Sequence, residues 1–207
     1  MPTAEWFVTG NYLDNSGNGN TATAAGSGTT FISDPVGAGV HGTVADFNGS
    51  GYANTPVAPG VPYTVAGWID VTTSAGGTLI SQIATPVGDT LYITSAFQAV
   101  GVNALFTAKD VHGSNSGVIT FNVQDSVALS QNTWYRVMVT YDGTTYTMYV
   151  NGVQVGTNTV TGNTGGNIRL AANSGLGANM IGYLHKVDVW SGTVLTSAQA
   201  ALDATQN

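Results

Sequence analysis

Polar and apolar residues alternate most regularly over residues 133–156, TWYRVMVTYDGTTYTMYVNGVQVG. Two turn signals cut the stretch into three short runs. Asn151-Gly152 is the preferred dipeptide of a two-residue type I′ hairpin, whose central residues both need φ > 0. Asp142-Gly143-Thr144-Thr145 supplies a four-residue turn before it. Together the turns set a register. It pairs Tyr141 with Tyr146, Val139 with Met148, Val137 with Val150, Val150 with Val153, and Met148 with Val155. All of these fall on one face and all are apolar. The other face takes Arg136, Thr140, Thr147 and Gln154, with Met138 and Tyr149 among them. A one-residue slip would turn the apolar set outwards, so the pattern predicts a three-stranded antiparallel meander.

The rest of the chain reads in the same period. Residues 4–9 predict a first strand, followed by a polar loop at 13–20 and small-residue filler to Gly28. Short strands follow at 29–33 and 44–47, and an edge strand at 52–54 precedes the proline-containing segment 56–62. Residues 63–71 (YTVAGWIDV) alternate well, and further runs of strand type cover 79–83, 91–96, 104–107, 118–123, 167–171 and 180–190. Turn signals recur about every 8–12 residues, the spacing of a sandwich or jelly roll. One helix is predicted, at the end. Thr196 with Gln199 three residues on makes a capping box, and the helix runs to about Ala204. The expected fold is all-β: a two-sheet antiparallel jelly-roll sandwich with one short C-terminal helix. No linker or charge run divides the 207 residues, so one domain over 1–207 is expected.

Composition narrows the function. Charged residues make up 7% of the chain, against the usual quarter, so Thr, Ser, Asn, Gln and Gly must carry its solubility. The four bases, Lys109, Arg136, Arg169 and Lys186, are scattered and the net charge is −7. Nothing there can neutralise a row of phosphates, which argues against nucleic acid or an anionic membrane as partner. The lack of cysteine excludes disulfides, thiolate zinc sites and a cysteine nucleophile. The start, MPTAEWFVTG, has neither a basic n-region nor an apolar h-region, and no run reaches membrane-spanning length. The expectation is a protein made without a signal peptide, or a module cut from a longer secreted chain.

Candidate chemistry is sparse. No serine lies in G-x-S-x-G, no G-x-x-x-x-G-K occurs, and His41, His112 and His185 lack ligand spacing. The loop after Leu13 is the sharpest metal candidate. Asp14, Ser16 and Asn18 set oxygen side chains at i, i+2 and i+4, and Gly19 follows, which is how a calcium loop begins. The twelfth position is Ala25, so it is no EF-hand. An Asx-rich turn satisfying its own backbone accounts for the same residues, and both readings stand. Sugars stack on exposed aromatic faces. Trp6, Trp68, Trp134 and Trp190 sit inside strand patterns and are expected to pack, leaving Tyr12, Tyr52 and Phe97 near polar stretches as candidate ligand platforms.

Several of these pieces, in this order, resemble the concanavalin A-like, laminin-G-type jelly-roll family. They are Asp14-Asn15-Ser16-Gly17-Asn18-Gly19-Asn20; Ala45-Asp46-Phe47-Asn48-Gly49 with Tyr52; and Tyr63 to Ile69. Then come Asn132 to Val137, Tyr141-Asp142-Gly143, Tyr149-Val150-Asn151-Gly152, and Gly182-Tyr183-Leu184 before the helix. The resemblance implies two curved sheets whose concave face and rim loops bind glycans or proteins. It also implies a structural Ca²⁺ at the Asp14 loop, helped by acids of the last strand. Here that strand holds His185 and Lys186 at the usual acidic positions, leaving Asp188. The glycoside hydrolases of the wider superfamily use two glutamates bracketing an aspartate, whereas this chain has one glutamate, Glu5. No enzyme is expected. The expected role is a non-catalytic structural or adhesion protein on a virion surface, such as a bacteriophage capsid decoration or tail component, with a virion protein or a cell-surface glycan as partner. It could act as a homo-oligomer. The alternative is an extracellular carbohydrate-binding module of a secreted bacterial protein.

Overall fold

The computed structural model describes residues 1–36, 39–72, 77–84, 88–97, 104–111, 119–124, 130–159, 166–172 and 179–206; for 84, 88–97, 104–111 and 119–124 it describes the backbone. The elements are β1 (Ala4–Phe7), β2 (Thr23–Gly26), β3 (Thr29–Ser33), β4 (Thr43–Asn48), β5 (Gly51–Asn54), β6 (Tyr63–Val71), β7 (Gly77–Ala84) and β8 (Gly88–Phe97). Then follow β9 (Ala104–Val111), β10 (Ile119–Gln124), β11 (Tyr135–Tyr141), β12 (Thr145–Val150), β13 (Val153–Thr159), β14 (Asn167–Leu170), β15 (Ile181–Ser191) and α1 (Ser197–Asp203). His112 lies outside the described residues.

Two antiparallel sheets form. The first runs β13-β12-β11-β6-β15-β4-β3, with β1 taking over the free edge of β15 beyond β4. The second runs β10-β9-β8-β7-β14-β5-β2. Period-two alternation explains how they meet. Val65 and Ile69 of β6, Val137, Val139 and Tyr141 of β11, and Leu184, Val187 and Val189 of β15 point inward. There they join Leu79, Ile80, Ile168, Leu170 and Ala53 from the second sheet in one buried core. Trp6 is fully buried in that core, and its indole N–H donates to the Asn20 carbonyl at 2.8 Å.

The meander follows the expected register through β11 and β12: Tyr141 pairs with Tyr146, Val139 with Met148, and Val137 with Val150. The Asp142 carboxylate fixes the first turn by accepting from the amides of Thr144 and Thr145, both at 2.7 Å. Across the second turn, where Asn151 and Gly152 both have positive φ, Val150 pairs with Val153 as expected. Beyond it the expectation fails. A bulge between Met148 and Tyr149 pairs Met148 with Gly156 rather than Val155, and Val153 on the edge strand β13 is 66% exposed.

Two further expectations are corrected. Residues 23–26, read as filler, form the edge strand β2, because small side chains suffice where one face meets solvent. Tyr52 therefore lies on an inner strand, β5, between β14 and β2. The second face of the meander, which carries Arg136, Thr140, Met138 and Tyr149, is covered as well. Met138, Tyr149 and Ala66 pack against Leu195 and Ala200, forming a second small core under α1. The helix itself is as expected. Thr196 Oγ1 accepts from the Gln199 amide, the Gln199 side chain accepts from the Thr196 amide, and Ala204 is the C-cap.

Candidate functional site

The loop after Leu13 folds onto the first strand. The Asp14 carboxylate accepts from the amides of Glu5 at 3.1 Å, Ser16 at 2.9 Å and Asn20 at 2.7 Å. Partial burial works against its ionisation, but these hydrogen bonds outweigh it and hold the carboxyl below its usual range. Ser16 Oγ and Asn18 Nδ2 both donate to the Thr3 carbonyl, at 3.2 and 3.0 Å. So Asp14, Ser16 and Asn18 do gather, in a self-satisfied Asx turn. Asp188 faces elsewhere. Among the described residues no three His, Asp or Glu side chains gather to hold a metal ion.

Asp188 instead belongs to a buried ion network on the outer face of the first sheet, beneath α1. Arg136, 1% exposed, pairs with Asp188 through Nη2 and with Asp203 of the helix through Nε at 2.7 Å. Lys186 joins Glu5 at 2.9 Å and Asp188 at 3.6 Å. Burial pushes the Asp188 carboxyl up to about 6, against the opposing pull of Arg136 and Lys186. The network ties the helix, the last strand and the first strand together.

Farther along the same face, the segment after β3 closes over a half-buried aromatic group. His41 packs between Trp134 (ring centroids 4.5 Å apart), His185 (4.7 Å) and Trp68 (5.1 Å). Asp34 anchors it, accepting from the amides of Val36 and His41 and from Trp134 Nε1 at 3.1 Å. The Trp68 indole N–H donates to the Gln206 carbonyl at 2.9 Å. These two indoles are thus held as packing, as their place in strand patterns implied. Burial depresses the His185 imidazole to about 4, with His41 adding to the effect, so both rings stay neutral near pH 7.

The second sheet offers a more open surface. Across its outer face Thr23, Asn54 and Arg169 line up through β2, β5 and β14, and the row ends at β7 on Ser81, which is fully buried. Tyr52 lies two residues before Asn54 on that face, half-buried, with the Arg169 guanidinium 5.0 Å from its ring centroid. Arg169 Nε donates to Asn54 Oδ1 at 2.8 Å. An aromatic ring, a guanidinium and an amide on an exposed sheet face are the groups that stack on and hydrogen-bond to sugars.

Of the candidate platforms, then, only Tyr52 is shown at a surface. Tyr12 is 6% exposed and packs edge-on against Phe31 with ring centroids 5.6 Å apart, so it belongs to the core. Phe97 closes β8 opposite Ala104, and its side chain is outside the described residues. Asn54 and Arg169 were not singled out from sequence. Their signal was available in the pleat: Asn54 stands two positions from Tyr52, and Arg169 alternates with Ile168 and Leu170.

A family model described as "Concanavalin A-like lectin/glucanases superfamily" (Laminin_G_3) matches residues 47–201. No curated protein sequence matches the chain. Among solved structures, one similar fold is domain 4 of AbnA, an extracellular arabinanase from Geobacillus stearothermophilus, in complex with arabinotriose. It is 18% identical with a TM-score of 0.71, over 100% of this chain and 98% of that one. A heptameric SAP-like pentraxin from Limulus polyphemus is 16% identical with a TM-score of 0.60, over 89% of this chain and 82% of that one. A structure concerned with cell entry of botulinum neurotoxin type C through two ganglioside molecules is 13% identical with a TM-score of 0.66. This chain is covered to 99% in that match but spans half of the toxin chain. At these identities the likeness is one of fold.

Proposed function

The chain belongs to the concanavalin A-like lectin/glucanase superfamily, and from that premise we propose that it is a non-catalytic carbohydrate-binding domain over residues 1–207. The observation that carries the proposal is the surface of Tyr52, Asn54 and Arg169 on the outer face of the second sheet. Support comes from a similar fold, shared over nearly the whole of both chains, in a domain bound to arabinotriose. The Tyr52 ring, one face of which the Arg169 guanidinium covers, supplies aromatic surface, and Arg169 and Asn54 supply donors and an acceptor for sugar hydroxyls. Catalysis fits the residues poorly. Hydrolysis needs an accessible acid paired with a nucleophile or base, whereas the one glutamate, Glu5, is paired with Lys186, and Asp188 is buried against Arg136.

The finer reading places this binding domain on a virion surface, where it attaches the particle to a protein or a host glycan. Its support is compositional: a sparsely charged, cysteine-free chain rich in Ala, Gly, Thr and Val. An extracellular module of a secreted protein uses the same surface. A structural Ca²⁺ at Asp14 is the remaining proposal. It requires the Asp14 carboxylate to exchange backbone donors for the ion. A glycan array run with calcium and again with chelator tests both readings. Binding to a defined sugar class that survives chelation supports the sheet surface alone, and loss with chelator puts Asp14 in a working metal site. No glycan binding by a folded sample would sink the carbohydrate reading.

A further inference from the structure

The outer face of the first sheet carries a second row of polar groups, far in character from the Tyr52 surface. Cross-strand register sets Asp46 of β4 opposite Tyr183 of β15, and Tyr183 opposite Asp70 of β6. The three therefore stand side by side on neighbouring strands, about 4.8 Å from one to the next. Ala45, Phe47, Ile69 and Leu184 beside them point into the core, so the row faces outward. Asp46 and Tyr183 are half-buried and accessible, while Asp70 lies fully buried behind them. Neither Asp70 carboxylate oxygen has a partner within hydrogen-bond geometry, although the Thr133 and Asn132 amides lie close enough to offset part of its desolvation. Asp34 adds a third carboxylate whose field reaches both Tyr183 and Asp70.

Among the described residues no basic side chain pairs with these acids. Of the four bases, Arg136 is held by Asp188 and Asp203, Lys186 by Glu5 and Asp188, and Arg169 lies on the other sheet, as does the backbone of Lys109 on β9. His41 and His185 face the group from the segment after β3 and from β15, and burial keeps them neutral near pH 7. Buried carboxylates without a countercharge are costly, and such arrangements mark sites where a ligand supplies the missing charge. An aromatic ring flanked by carboxylates suits a flat or alkylated cation, which gains from the ring face and from the acids together. A metal ion suits it less, because no three His, Asp or Glu side chains close round one point among the described residues.

We propose that the Asp46–Tyr183–Asp70 row is a docking site for a basic side chain, the guanidinium or ammonium group of a peptide segment on a partner protein. It goes beyond the carbohydrate reading and uses the opposite sheet, so either can fail without the other. The row makes the domain two-sided, with a neutral polyhydroxylated ligand on one sheet and a cationic protein segment on the other. Affinity rises with pH as Asp46 and Asp70, both shifted upward by burial, become ionised.

The test is a titration of the ¹⁵N-labelled chain with acetyl-Gly-Arg-Gly-amide, against the neutral citrulline peptide and against calcium chloride at matched ionic strength. The expected result is saturable shifts of the Asp46, Tyr183 and Asp70 amides with the arginine peptide. Asp46→Asn and Tyr183→Leu should weaken binding at least fivefold, and Tyr52→Ala should leave it unchanged. Melting temperatures of the variants separate loss of binding from loss of fold. Equal binding of the citrulline peptide, absence of shifts at these residues, or the same shifts from calcium reversed by chelator would each overturn the assignment.

Discussion

Asp70 keeps a charge where charge is expensive. Burial pushes its carboxyl up to about 6 from 3.8, while burial of His185 pulls its imidazole down to about 4 from 6.5. The two act on stability with opposite signs. A folded carboxyl that titrates higher than the unfolded one favours folding at low pH, and that advantage is lost as pH rises through about 6. A folded imidazole that titrates lower favours folding above pH 6.5, and its contribution is lost as pH falls toward 4. Between those limits they partly cancel. Asp70→Asn removes the first effect and keeps an acceptor for the nearby amides. It should stabilise the protein by about 1–3 kcal/mol at pH 7.5, with the gain gone by pH 4. Urea denaturation across that range checks it, and a variant no more stable at pH 7.5 would show that the Asp70 charge is already compensated. None of this was visible in sequence. Asp70 reads there as one polar position in an alternating strand, and its burial depends on residues 132–133 arriving from far along the chain.

At the scale of elements, much was legible because turn chemistry is local. Asp142-Gly143 and Asn151-Gly152 set their own turns, and Thr196 with Gln199 set the helix start. Thr196→Ala should cost about 1 kcal/mol, read from thermal or urea unfolding. What stayed hidden was contact between elements. Nothing in the pattern of β11 and β12 says that a seven-residue helix will cover their second face, and the same alternation describes a solvated one. Gly152 is where helix and hairpin meet. Its φ is +77°, and a Cβ there would come within 2.7 Å of the Ala201 backbone. Gly152→Ala should therefore displace the helix as well as strain the turn, at a cost of about 2 kcal/mol or more. The expected signature is faster amide exchange across α1 with the core strands still protected. Arg136→Met is predicted to be severe, about 3–5 kcal/mol, because it leaves the buried Asp188 with only the more distant Lys186 and takes the partner from Asp203.

At the scale of the whole molecule, the fold was the most legible feature, since strand period, turn spacing and the order of motifs agreed. The site was the least. The proposed sugar surface draws its side chains from strands distant in sequence: Tyr52 and Asn54 stand more than a hundred residues from Arg169. Single residues could be suggested, but not which of them share a face with one another. Tyr12 shows how easily that goes wrong, because its polar neighbours lie in a loop while its ring is in the core. Titration of the folded protein with arabino-, xylo- and galacto-oligosaccharides, chosen from array hits, alongside Tyr52→Ala and Arg169→Ala is the most direct measurement. The predicted result is saturable binding to one sugar class, weakened at least tenfold by either substitution and unaffected by Asp46→Asn. Binding that ignores both substitutions, or no binding to any glycan, would contradict a carbohydrate site on the second sheet.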